Sequence, residues 1–241
     1  MKFKNSQEDV EFNIDPKHIK TILIKLSGGI DSALTFYMLC KSIEQHPEIE
    51  IIPQTTNDWK KPYQVNFAKK VIEWMKKEFP TVKILDHETL QLEDGAEYVK
   101  GQDAHRDSII TKYYDKGQPV DITIAGINKK PPKHITDTFF NNDGELQSGP
   151  DDDRSTWAPQ WIIDNSINLP AYSLKGYGRP LFNIDKKGVA ELCDQLGLTD
   201  TLFPITRSCE NIHANKTNNF TTHCGECWWC HERYWGFGKL I

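Results

Sequence analysis

The sequence predicts an α/β fold, a doubly wound and mainly parallel sheet carrying a small C-terminal zinc-binding appendage of helix and loop. Three observations predict it. β-Branched and aliphatic runs alternate with stretches of helical periodicity, the first run stops abruptly at Ser27-Gly28-Gly29, and four of the six cysteines crowd into residues 209–230. The length, 241 residues, suits one such domain with a small addition, so residues 1–200 are expected to form the sheet domain and 201–241 the cysteine-rich region.

Taken in order, Thr21 to Leu26 reads as a strand, and Ile30, Leu34, Tyr37 and Met38 then recur at helical spacing until Pro47. Glu48 to Pro53 reads as a second strand, residues 63–79 as a helix with Phe67, Val71, Trp74 and Met75 on one face, and Val82 to Asp86 as a third strand. A helix is expected over Asp103 to Lys116 and a strand over Val120 to Gly126, with Asn128 at its carboxyl end, where open parallel sheets collect their ligands. Residues 129–168 break this rhythm with Pro131-Pro132, Asn141-Asn142-Asp143-Gly144 and an acidic run at Asp151-Asp152-Asp153, and are expected to be an insertion or long loop. Order returns at Pro180. Ile184 and Val189 are placed as a hydrophobic staple around an N-cap at Asp185, and Gly197 stands where the helix Lys186 to Leu196 would end.

Composition narrows the function. Hydrophobic residues at 38% and charged residues at 26% describe a globular chain, not a disordered one. The net charge of −5 argues against a general grip on nucleic-acid phosphates, so small-molecule substrates are expected and direct nucleic-acid binding is not. No apolar stretch matches a signal peptide or the roughly 18 residues of a membrane span. A cytoplasmic protein without a membrane partner is the expectation, and the oligomeric state, a homodimer included, stays open.

The segment Leu26-Ser27-Gly28-Gly29-Ile30-Asp31-Ser32 carries the chemistry. Glycines let backbone N–H groups close on phosphate oxygens, the amino end of the following helix adds a partial positive charge, and the Ser27 and Ser32 hydroxyls can hydrogen-bond the same oxygens. Asp31 is unsuited to touch phosphate and would hold Mg²⁺ or brace the loop. No Lys follows the glycines, so this is not the common triphosphatase loop, nor is it a dinucleotide turn.

Cys224-Gly225-Glu226-Cys227-Trp228-Trp229-Cys230 contains two consecutive C-x-x-C steps, and Cys209 can complete a tetrahedron. Four thiolates leave no open position, so a bound Zn²⁺ would be structural; an iron–sulfur cluster and free thiols are the rival readings, and His213, His223 or His231 could replace one Cys. Cys40 and Cys193 stand apart, which fits reduced thiols and not a disulfide framework. Weaker candidates are Arg106 and Arg207 for phosphate or carboxylate, against a reading as surface salt bridges. Asp151 to Asp153 could hold Mg²⁺ or be a solvated loop, and Trp228 and Trp229 could stack on a purine or pack over the metal site.

Ser-Gly-Gly-x-Asp-Ser after a hydrophobic strand resembles the loop of the PP-loop ATP pyrophosphatase superfamily, whose adenine nucleotide alpha hydrolase-like members cleave ATP between the α- and β-phosphates. Combined with Cys209 and the double C-x-x-C, it resembles the 7-cyano-7-deazaguanine synthase family. Pro180-Leu181-Phe182-Asn183-Ile184-Asp185-Lys186 and the ending from Cys224 through Arg233 and Gly236 are similar to that family as well. Where the family shows Pro-Gly-Arg-Asn, this chain has Ala104-His105-Arg106-Asp107.

The resemblance implies an ATP-dependent carbon–nitrogen ligase using ATP and Mg²⁺. It would adenylate 7-carboxy-7-deazaguanine, form an amide with ammonia, adenylate again, and release the nitrile used in queuosine and deazapurine biosynthesis. Asp31 and Ser32 would be its catalytic residues, and no side-chain nucleophile is required. The alternatives are a relative that adenylates a different acceptor in nucleic-acid or protein modification, and a zinc-stabilised nucleotide-binding module without turnover.

Overall fold

The computed structural model describes residues 1–150, 161–163, 176–211 and 221–241. A short antiparallel hairpin, β1 (Lys2–Phe3) with β2 (Val10–Glu11), precedes the main sheet. The central strand β3 (Thr21–Lys25) buries Ile22, Leu23 and Ile24 completely, as a strand covered on both faces must. Each such side chain contributes about 1.5–3 kcal/mol, so the loop that follows is hung from the best-anchored part of the fold.

The chain continues through α1 (Ile30–Ile43), β4 (Glu50–Asn57), α2 (Gln64–Glu78), β5 (Lys83–Ile84), β6 (Glu88–Gln91), α3 (Tyr98–Asp115) and β7 (Ile122–Ala125). It then forms the single turn α4 (Lys133–Thr136), β8 (Trp161–Ile163), β9 (Gly176–Gly178), α5 (Lys186–Gln195), a 3₁₀ turn at Phe203–Ile205, and α6 (Trp228–Phe237).

Among the described residues the strand order is β5-β4-β3-β7-β9-β8, with β6 also paired to β4. Every pair in this sheet is parallel except β8 with β9. The chain starts at β3, winds outward through β4, and returns to β7 on the other side of β3. That reversal puts a topological switch point between β3 and β7, where the connections leaving both strands diverge and open a crevice. Helices cover both faces: Ile22 and Ile24 pack with Leu34, Met38, Val71 and Val189, whereas Leu23 packs with Ile52, Ile109, Ile110 and Tyr113. The doubly wound, mainly parallel fold is therefore as the sequence predicts.

Several boundaries differ. The second strand runs on to Asn57, the third is only Lys83–Ile84, and the helix expected from Asp103 begins at Tyr98. The hairpin, β6, β8 and β9 were not expected from the pattern, because strands of two to four residues carry too few positions to show an alternation. Within 129–168, expected as an insertion or loop, β8 extends the sheet by pairing with β9, and Phe140 bridges to Leu146. The run Asp151-Asp152-Asp153 and His213 lie outside the described residues. Among the described residues no helix is long and apolar enough to cross a membrane.

Candidate functional site

Leu26 leaves β3 with its N–H bonded to Gln54 O at 2.7 Å and its carbonyl accepting from Thr55 Oγ1 at 2.8 Å, so the loop starts from a fixed point. Gly28 turns the chain with φ +76°, and a Cβ there would lie 2.5 Å from Phe67 Cβ, so α2 leaves room for glycine alone. Gly29 is the N-cap of α1 and no side chain caps that helix, which leaves its first-turn N–H groups facing the crevice. The two serines brace this turn: Ser32 Oγ donates to Gly29 O at 3.0 Å, and Gly29 N donates to Ser27 Oγ at 3.3 Å. Ile30 anchors the helix start and is fully buried.

Gly126, at the end of β7, lets the first turn of α1 come down on it, since a Cβ would meet Asp31 O at 2.5 Å. Arg207 N donates to Gly28 O at 2.9 Å, so the segment before the first cysteine also holds the loop.

Asp31 does not face the crevice as a free carboxylate. Its two oxygens accept from Lys186 Nζ at 2.7 and 2.5 Å, and Lys186 is 3.3 Å from Glu232. Burial draws the Lys186 ammonium down, but the Asp31 and Glu232 carboxylates outweigh it and hold it above the usual lysine range. The Asp31–Lys186 pair ties the first turn of α1 to the start of α5.

Two open clefts flank the loop and share Ser27, Gly126 and Ile127. The first, about 690 Å³, is walled by Asp31, Tyr63, Asn128, Lys186, Arg207, Glu210, Trp229 and Glu232. The second, about 600 Å³, opens over the carboxyl ends of β3, β4 and β7 between Lys25, Gln54, Thr56, Gln102 and Tyr177.

Arg207 is buried, with its guanidinium 4.9 Å from the Tyr63 ring centre. It belongs to the cleft and not to a surface salt bridge. Arg106 pairs instead with Asp103 and Asp107, each at 2.8 Å, and lines neither cleft. Trp228 is buried against Phe139 and Gly149, whereas Trp229 is half-buried and packs against the cysteines; both border the first cleft.

The thiols of Cys209, Cys224, Cys227 and Cys230 lie within 4.8 Å of one another, and Cys224 Sγ is 3.8 Å from Cys230 Sγ. A single ion with metal–sulfur bonds of about 2.3 Å sets tetrahedral S···S edges of about 3.8 Å, so the four fit one ion. A cluster with several irons between its thiolates needs them farther apart. The N–H groups of Cys224, Glu226 and Cys227 point at Cys209 and Cys224 sulfurs at 3.3–3.5 Å, which stabilises thiolate charge. Hydrogen bonds from the other three thiols hold Cys209 well below the usual thiol range. Cys40 and Cys193 are buried elsewhere, in α1 and α5.

The four-thiol site and the cleft are one structure. Cys227 caps α6, Trp229 and Glu232 of α6 wall the first cleft, and Tyr63 Oη donates to the Cys209 carbonyl. Lys186, Glu232, Tyr63 and Gly126 are site residues that the loop motif does not reveal. The signal for Lys186 and Glu232 was an ionisable residue set in an otherwise apolar helix face.

No family model matches the chain, and no curated protein matches it. Among solved structures it is similar to the U34-tRNA thiolase NcsA from Methanococcus maripaludis with its [4Fe-4S] cluster, at 15% identity and TM-score 0.44, covering 95% of this chain and 71% of that one. It is also similar to the NH3-dependent NAD synthetase from Campylobacter jejuni, at 11% identity and TM-score 0.39 over 92% and 89% of the two chains. The NAD+ synthetase from Burkholderia pseudomallei follows at 13% and 0.38, over 92% and 75%.

Proposed function

We propose that the chain is an ATP-dependent carbon–nitrogen ligase that adenylates a carboxylate and passes it to ammonia, with 7-carboxy-7-deazaguanine as the acid. The observation that carries the adenylation is the Ser27–Ser32 loop at the switch point, its uncapped helix end turned into a crevice with a cleft on either side. The loop N–H groups and the Ser27 hydroxyl bind the pyrophosphate and stabilise the charge it gathers as it leaves, while Ser32 braces the turn through Gly29 O. The Asp31–Lys186 pair holds the first turn of α1 in place while that happens.

The cleft with Tyr177 and the Gln54 and Gln102 amides suits the adenosine. The cleft with half-buried Trp229 and cationic Arg207 suits a planar aromatic acid. Carboxylate and amide oxygens are poor leaving groups. Each is therefore carried off on an AMP: acid and ATP give acyl-adenylate and pyrophosphate, and ammonia displaces AMP to give the amide. A second ATP activates the amide oxygen, and loss of AMP and a proton leaves the nitrile. Mg²⁺ would enter held by the triphosphate, since both Asp31 oxygens are engaged by Lys186. Zn²⁺ in the four-thiol site would be structural, because four protein sulfurs leave no open position for a substrate.

Incubation of purified protein with ATP, ammonium and 7-carboxy-7-deazaguanine should yield the nitrile with two AMP and two pyrophosphate per product, followed by mass. Asp31→Asn should lower turnover by at least tenfold with folding retained, because Glu232 still faces Lys186. AMP formed only with another acid would replace the acceptor. ATP binding without AMP would leave a binding module.

A further inference from the structure

Lys186 is 1% exposed and lies between two carboxylates that belong to different parts of the molecule. Asp31 sits in the first turn of α1, next to the phosphate loop, and Glu232 sits on α6. That second helix has the thiol Cys227 at its N-cap and carries the thiol Cys230 in its first turn, two residues before Glu232. The packing is tight: a Cβ on Gly236 of α6 would lie 2.4 Å from Lys186 Cγ and 2.8 Å from Lys186 O. The lysine stem is therefore pinned by the backbone of the helix whose start forms part of the four-thiol site.

The electrostatics tie the two ends together. An ammonium this deeply buried needs a carboxylate facing it, and drawing either Asp31 or Glu232 away from it leaves that carboxylate without its counter-charge. A shift of α6 that moved Glu232 would disturb the Asp31 contact, and a shift of the loop would be felt at α6. We propose that Glu232 and Lys186 are positioning residues that couple the four-thiol metal site to the phosphate loop, so that a metal at one and a phosphate at the other strengthen each other's binding. The proposal rests on the reading of Ser27–Ser32 as a phosphate site. Because coupling between two ligands is reciprocal, it can be measured from either end.

The test uses the full chain loaded with zinc. Zinc affinity is read by competition with a chelator, with and without saturating pyrophosphate, and pyrophosphate affinity is read separately by calorimetry. Pyrophosphate should tighten zinc binding by roughly fivefold or more, the lower end of ordinary coupling. In Glu232→Gln this factor should fall to about one while zinc binding without pyrophosphate persists. Pyrophosphate itself chelates zinc, so both factors are read after correction for that competition, which is common to the two proteins and cancels in their ratio.

Glu232→Gln also removes a negative charge near the loop, so its pyrophosphate affinity should hold or rise even as the coupling disappears. A merely structural role for Glu232 would instead weaken both ligands together. Should that variant fail to fold, Lys186→Arg, which keeps the charge but changes the contact, is read in the same ratio. A variant that binds both ligands with the wild-type coupling factor would overturn the proposal. Absence of pyrophosphate binding by zinc-loaded wild-type protein would overturn the phosphate-loop reading itself, and the coupling with it.

Discussion

At the scale of single residues, Gly28 is where the loop has least freedom to change. Gly28→Ala places a side chain at φ +76°, in the left-handed region that costs about 1–2 kcal/mol, and sets its Cβ 2.5 Å from Phe67 Cβ. Overpacking of that kind adds about 1–3 kcal/mol, so the variant should melt several degrees lower and lose pyrophosphate binding. Unchanged melting and binding would show that α2 can yield. Phe67→Ala should give no relief, since alanine keeps the offending Cβ. His87 offers a second test, through pH. Burial, with Lys69 adding, pushes its imidazole down to about 4, and its Nε2 lies 2.8 Å from Thr55 Oγ1. Thr55 spends its own proton on Leu26 O, so it accepts from a neutral His87. The folded value lies below the unfolded one of about 6.5, so between them the unfolded chain binds more protons and stability is lost as pH falls through that window. Urea midpoints from pH 7 to 4.5 should fall more steeply for wild type than for His87→Gln, and parallel curves would count against a buried neutral ring. The six-residue loop was legible in the sequence because its chemistry is contiguous. Lys186 was not assigned its role, because its partner Asp31 lies 155 residues away.

At the scale of elements, legibility followed the range over which the information is written. The start of α5 was readable because its signals are local: Asp185 accepts from Lys187 N at 2.9 Å and Gly188 N at 3.3 Å, Ile184 and Val189 are buried around it, and Gly197 takes φ +70° beyond the end. The sequence did not reveal that the N-terminal arm completes this cap. Gln7 both donates to Asp185 Oδ1 at 2.7 Å and accepts from Asp185 N at 2.9 Å, and Asn5 donates to Gly188 O. The early start of α3 was hidden by Gly101, a weak helix former that is there for contact: a Cβ would lie 2.5 Å from Leu92 Cδ2. Asp185→Ala removes the acceptor of two helix N–H groups and of Gln7, and should cost about 1–2 kcal/mol. The loss should appear in chemical denaturation. Because Lys186 is the first helical residue after this cap, turnover should fall further than the stability loss alone would require. Asp185→Asn or Asp185→Ser should restore most of both, whereas equal losses in all three variants would remove capping as the cause.

At the scale of the molecule, two packing systems meet at one crevice. The sheet and its helices form two apolar clusters around β3, whereas the cysteine region packs as a third cluster built from Cys209, Cys227 and Cys230 with Cys224, Trp229 and Leu240 around them. The sequence announced both systems but not their juncture, since nothing in C-x-x-C spacing says that Trp229, Glu232 and Arg207 will stand opposite a glycine loop. The division has a measurable consequence. If the thiols hold a structural ion, its binding free energy is mainly part of the folding free energy of the third cluster, with a smaller share passed to the phosphate loop through Glu232 and Lys186. Elemental analysis should give about one zinc per chain, as a closed four-sulfur site requires; iron with visible absorption would replace the zinc assignment. Chelation should change Trp fluorescence, because Trp228 and Trp229 sit at the start of α6, and should remove acid binding in the first cleft. Far-UV circular dichroism should fall only slightly, because β3 and the helices covering it lie outside that cluster. Collapse of the whole spectrum on chelation would instead make the ion a keystone of the entire sheet, and would mean that the buried Lys186 contacts carry far more of the fold's stability than two carboxylates around one ammonium usually do.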